Sequence, residues 1–170
     1  MLAGFRTVLA VLVVGLSSHL VQGQDPQKFS EPFEAIDQNQ LPDKASPTVR
    51  HRLDNIERLP TSKAVYVFRL NPSVEIGEGI KISIPNQITF RLSRSGGENR
   101  DSKDFTWFGE LQGDLQGTAT LVARNGEITG SISTPRGVYR ITPLGDQTYA
   151  VIEINRNGFP KEEPPSARPQ

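Results

Sequence analysis

The sequence offers little to soft-metal or thiol chemistry: it holds two histidines, His19 and His51, and no cysteine. A zinc protease needs two or three imidazoles at set spacing with a glutamate base beside the metal. His51 stands between Arg50 and Arg52 and reads as a surface histidine. A serine nucleophile needs a histidine in hydrogen-bond reach and an oriented carboxylate. Ser95-Gly96-Gly97 reads as a polar loop rather than a strand-to-helix elbow, and Gly77-Glu78-Gly79 lacks the lysine and hydroxyl residue of a phosphate loop. Two carboxylate pairs remain, since glycoside hydrolysis needs no more than two acids. They are Glu110 with Asp114, and Asp101 with Asp104 ahead of Phe105-Thr106-Trp107-Phe108. They read as solvated loop acids beside an aromatic cluster. The expectation is a protein without a catalytic residue, a metal or a cofactor. Trp107, the one tryptophan, is expected in the core; the alternative is a ring that stacks on a sugar or fills a partner's pocket. With Phe29 and Phe33 it forms the set of candidate partner-binding residues.

The elements that would position these residues are mostly strands. Ile80, Ile82 and Ile84 alternate with polar residues, as do Ile88, Phe90 and Leu92, and Pro85-Asn86-Gln87 makes a short loop between them. That register sets Ile82 beside Phe90. Asn125-Gly126 is the favoured pair for a type I′ hairpin turn. Folding there puts Ala123 opposite Ile128, Leu121 opposite Gly130 and Ala119 opposite Ile132, with small and apolar residues on one face. Gly145-Asp146 suits a type II′ turn that pairs Leu144 with Gln147, Ile141 with Ala150 and Tyr139 with Ile152. Thr134-Pro135-Arg136-Gly137 sets up a conflict: turn chemistry asks for a three-residue loop, whereas the apolar pattern prefers Ile132 facing Ile141. Ser46-Pro47 looks like an N-cap and first helical residue, with Val49, Leu53, Ile56 and Leu59 at helical spacing; a strand through Val49, His51 and Leu53 is the rival. The expected fold is all-β: a single domain of about eight antiparallel strands, as a meander, a sandwich or a curved, partly closed sheet, with one short N-terminal helix.

The 170 residues suit one domain. Charge balances at 19 basic and 19 acidic residues, so no net field draws the chain to nucleic acid or an anionic surface. Fifteen glycines and thirteen prolines agree with turns and strands. Residues 7–16, TVLAVLVVGL, follow Arg6 and form an apolar run too short to span a bilayer. Residues 1–23 read as a signal peptide cleaved after Gly23, the alternative being an uncleaved anchor. The mature protein is then secreted or periplasmic, with no membrane contact after cleavage. Residues 24–46 read as a flexible arm or, alternatively, a partner-binding strand or helix using Phe29 and Phe33. The domain follows at 47–158, and 159–170 form a polar, proline-rich tail. Oligomeric state is open.

Several motifs in order resemble a known family: Trp107-x-Gly109, Gly117-x-Ala119-x-Leu121-Val122, Asn125-Gly126-x-Ile128-x-Gly130-x-Ile132, and Thr134-Pro135-x-Gly137-x-Tyr139-Arg140-Ile141. Phe68-Arg69-Leu70-Asn71 precedes them and Phe159-Pro160 follows. The series is similar to the propeptides of secreted reprolysin-like zinc metalloproteases of the peptidyl-Asp metalloendopeptidase type, without the protease. That resemblance implies a non-catalytic inhibitor or folding partner of a secreted zinc metalloprotease. It carries over no catalytic residue, and without cysteine a thiolate latency switch is excluded. Two other readings stand beside it: a ligand-binding or adhesive β module, and a truncated remnant of a precursor.

Overall fold

The computed structural model describes residues 29–160 apart from 38–40, 42–44, 102, 114 and 115. The expected signal peptide, Asp114 and most of the tail lie outside the described residues. Among the described residues, nine antiparallel strands form one sheet: β1 (Phe33–Ala35), β2 (Ser62–Leu70), β3 (Gly79–Ile84), β4 (Ile88–Asn99), β5 (Phe105–Leu111), β6 (Thr118–Arg124), β7 (Glu127–Thr134), β8 (Gly137–Gly145) and β9 (Thr148–Ile154). From β3 to β9 each strand pairs with the next, β9 pairs back to β2, and β1 lies on the outer edge of β2. Ser30 then reaches across to β3: its N–H donates to Gly79 O at 2.9 Å, and its carbonyl accepts from Lys81 N at 2.7 Å. The sheet is thereby curled into a nearly closed barrel.

The all-β expectation holds, with nine strands rather than eight. The ninth, β1, comes from the segment read as a mostly irregular arm. Phe33 is buried and meets Tyr149 edge-on with ring centroids 5.5 Å apart, so core packing recruits this segment. Helix α1 (Pro47–Glu57) begins as read, with Ser46 Oγ accepting from Val49 N at 3.4 Å and proline in the first turn. Its Val49 and Leu53 cover the outside of β2, β8 and β9, against Val67, Leu144, Ala150 and Ile152. Inside, Phe68, Ile82, Phe90, Leu92, Trp107, Leu121, Ile132 and Ile141 form the main core, each almost wholly removed from solvent. Such interior filling is usual in a small barrel.

Turn chemistry and side-chain pattern agree in two hairpins, and there the expected register is found. Arg124 pairs with Glu127, Ala123 with Ile128 and Leu121 with Gly130 across Asn125-Gly126, both at positive φ. Ile84 pairs with Ile88 and Ile82 with Phe90. The other two hairpins correct the reading. Between β7 and β8 the loop is two residues, Thr134 pairing with Gly137 and Ile132 with Tyr139. Thr134 Oγ1 accepts from the N–H groups of Arg136 and Gly137, which satisfies a loop one residue shorter than turn chemistry implied. Between β8 and β9 the turn residues are Asp146 and Gln147, both at positive φ. Gly145 pairs with Thr148, a bulge follows, and Ile141 meets Val151 and Tyr139 meets Glu153. Alternation could not select this register because β9 is buried on both faces, inward to the core and outward under α1.

Candidate functional site

Strand directions place four connections at one end of the barrel: residues 71–78, 100–104, 125–126 and 146–147. They surround a cavity of about 750 Å³ that opens at this mouth. Its walls include Leu70, Ile76, Phe105, Ala123, Ile128 and Tyr149. Its lining charges balance: Arg94, Arg100 and Lys103 against Glu75, Asp101 and Glu127. The 71–78 connection is stitched over one side. Trp107 Nε1–H donates to Gly77 O at 2.8 Å, Ser30 Oγ donates to Glu75 O at 2.9 Å, and Asn71 N donates to Pro32 O at 2.8 Å. Arg94 adds an ion pair to Glu78 at 3.6 Å. At the cavity wall, Tyr149 accepts the Ile128 N–H at 3.3 Å; burial pushes its phenol pKa up, and that hydrogen bond pulls the other way.

A second polar group lies toward the opposite end. Glu153 points inward and accepts from Lys63 Nζ at 2.5 Å. That hydrogen bond, with the carboxylate's charge, raises the Lys63 pKa. Burial first and Glu153 second raise those of Tyr66 and Tyr139. Tyr139 also meets Phe90 edge-on, centroids 5.0 Å apart. The Glu153 side chain is largely buried, while that of Lys63 reaches solvent.

The residues singled out from the sequence scatter. Trp107 is 1 % exposed and Phe33 4 %, so both rings belong to the core; Phe29 is half-buried ahead of the Ser30 bridge. The exposed aromatic of that run is Phe108, on the outer wall. His51 lies on the exposed side of α1, with Asn55 Nδ2 3.3 Å from its Nδ1. Asp101 Oδ1 accepts the N–H groups of Lys103 and Asp104, which shapes the β4–β5 hairpin. Glu110 is exposed near the far end of β5, remote from that hairpin. Among the described residues no three His, Cys, Asp or Glu side chains gather as metal ligands would. The sequence did not mark Asn99, Phe105 and Gln147 as site residues, though all three line the mouth. Each sits on a different connection or strand end, and only barrel closure unites them.

An antiparallel barrel with helix α1 on its outside and a cavity at one mouth is a lipocalin-like architecture. The sequence profile of the BamI lipocalin-like domain matches residues 51–157, more than half of the chain, and the chain belongs to that family. Comparison with curated proteins and with solved structures found no match. The family assignment overturns the resemblance to a reprolysin-like propeptide. With it fall the roles of protease inhibitor and folding partner and the zinc metalloprotease as partner. The motifs behind that resemblance are strand and turn grammar: Asn125-Gly126 makes a hairpin in any fold. Membership is compatible with the periplasmic side of the expected location.

Proposed function

We propose that this chain is a non-catalytic, periplasmic ligand-binding module whose barrel mouth holds a small molecule. The observation that carries the reading is the cavity of about 750 Å³, with apolar walls and polar groups at its rim. Cavities of this size and character are where small ligands bind. The lipocalin-like family supports the same reading. Trp107 lines the cavity, so its fluorescence reports on occupancy. The neutral probe N-phenyl-1-naphthylamine is expected to bind with one-site saturation and energy transfer from Trp107. Ala123→Phe, which fills the cavity from β6, is expected to abolish it. Transfer that never saturates, or that survives Ala123→Phe in a protein with native circular dichroism, overturns the proposal.

A second reading follows from the family: a role beside the machinery that assembles outer-membrane β-barrels, with a protein occupying the same mouth. Crosslinking in intact cells from a photoreactive residue at Asn125 tests it. Capture of a component of that machinery supports it, and its absence from the crosslinked products counts against it.

A further inference from the structure

The chemistry of the mouth says more than its shape. Four carboxamide side chains line it from four separate places: Asn71 after β2, Asn99 at the end of β4, Asn125 in the β6–β7 turn and Gln147 in the β8–β9 turn. All four residues are exposed. Asn71 Oδ1 accepts the Ser73 N–H at 3.0 Å. Among the described residues the side chains of Asn99, Asn125 and Gln147 have no hydrogen-bond partner. A carboxamide offers two donors and an acceptor, all neutral.

Charge narrows the class of ligand. Arg94 and Arg100 already face Glu78 and Glu98, at 3.6 and 3.7 Å. Lys103 shares its hairpin with Asp101, whose Oδ1 accepts the Lys103 backbone N–H at 2.6 Å. With three basic against three acidic side chains, the lining has no surplus positive charge to hold a carboxylate or phosphate head. Phe105 is half-buried, pairs across the sheet with Ala123 and supplies an apolar wall. A molecule that presents many neutral hydroxyls and one C–H face matches both features.

We infer that the mouth takes a neutral saccharide, its C–H face against Phe105 and its hydroxyls on the carboxamides of Asn99, Asn125 and Gln147. This rests on the mouth being the binding site. The test is isothermal titration of the protein with an N-acetylglucosamine disaccharide, with maltotriose and with dodecanoate. One saccharide is expected to bind at one site. Asn99→Ala is expected to weaken it about tenfold, the effect of losing one hydrogen bond of ~1.4 kcal/mol. Gln147→Gly, which keeps the positive-φ turn free of strain, is expected to act likewise, and Phe108→Ala on the outer wall to leave binding unchanged. Binding of dodecanoate alone, blocked by Ala123→Phe, overturns the saccharide inference and leaves the mouth reading intact. Saccharide binding indifferent to both carboxamide variants also overturns the inference. If neither the saccharides, dodecanoate nor N-phenyl-1-naphthylamine binds, both proposals fall.

Discussion

Gly109→Ala is the most informative single perturbation of this barrel. Gly109 faces inward on β5, two residues beyond Trp107, and the indole lies across it. A Cβ at that position would overlap Trp107 Cη2 and Cζ3 and would come within 3.1 Å of the Ser93 carbonyl oxygen. The backbone cannot yield there, because Gly109 is laddered to Arg94 on one side and Ala119 on the other. The indole must move. Overpacking of this kind costs about 1–3 kcal/mol. Moving the ring also breaks the 2.8 Å bond from Nε1–H to Gly77 O. An indole N–H left buried without a partner adds about 1–3 kcal/mol. The lower chain entropy of alanine returns ~0.5–1 kcal/mol. The net expectation is a loss of about 1–5 kcal/mol in urea unfolding followed by circular dichroism. Trp107 emission should shift to the red as the indole leaves its site. Trp107→Phe removes the overlapping atoms, so Gly109→Ala should cost much less on that background, with a coupling of at least ~1 kcal/mol. A Gly109→Ala protein within ~0.5 kcal/mol of wild type, or strict additivity in the cycle, refutes this account of the Trp-x-Gly motif.

Two further outcomes follow from the packing and the ionisable groups. Phe33→Ala should destabilise the domain by about 3–5 kcal/mol, as deletion of a buried aromatic does, whereas Phe108→Ala, 45 % exposed, should cost little. A neutral Phe33→Ala in urea unfolding would mean that β1 is not part of the cooperative unit. Stability should also fall at alkaline pH. The phenols of Tyr66 and Tyr139 titrate higher in the folded state, chiefly through burial and then through Glu153. Their neutral forms therefore favour folding, a contribution complete below the unfolded tyrosine value of about 10 and lost as pH rises through the folded values. Unfolding free energy followed from pH 8 upward should decline beyond that point, and less steeply in Tyr139→Phe. An identical profile for the two proteins would refute the assignment.

Much of the barrel was legible locally. Asn125-Gly126 specifies its own turn through positive φ, and the alternation of Ala119, Leu121 and Ala123 then permits one register alone. Ser46-Pro47 marks the start of α1 for reasons contained in the residues themselves. Legibility ended where both faces of a strand are buried. On β9, Ile152 points out under the helix while Glu153 points into the barrel toward Tyr139, the reverse of what hydrophobicity suggests. Turn type likewise yielded to context between β7 and β8, where the Thr134 side chain closes a loop shorter than its composition implied.

The amino-acid order by itself determined the class of structure, all antiparallel strands and one short helix, because turn dihedrals and side-chain alternation act over two to eight residues. It also carried the family pattern across residues 51–157. Only the tertiary structure decided that Trp107 faces inward while Phe108 faces out, that Phe33 belongs to the core, and that Asn99, Phe105, Asn125 and Gln147 share one mouth. Those facts depend on how the sheet curls until Ser30 meets β3, across some fifty residues of chain. Closure over such a separation is governed by the packing of the whole interior, which no local run of residues encodes.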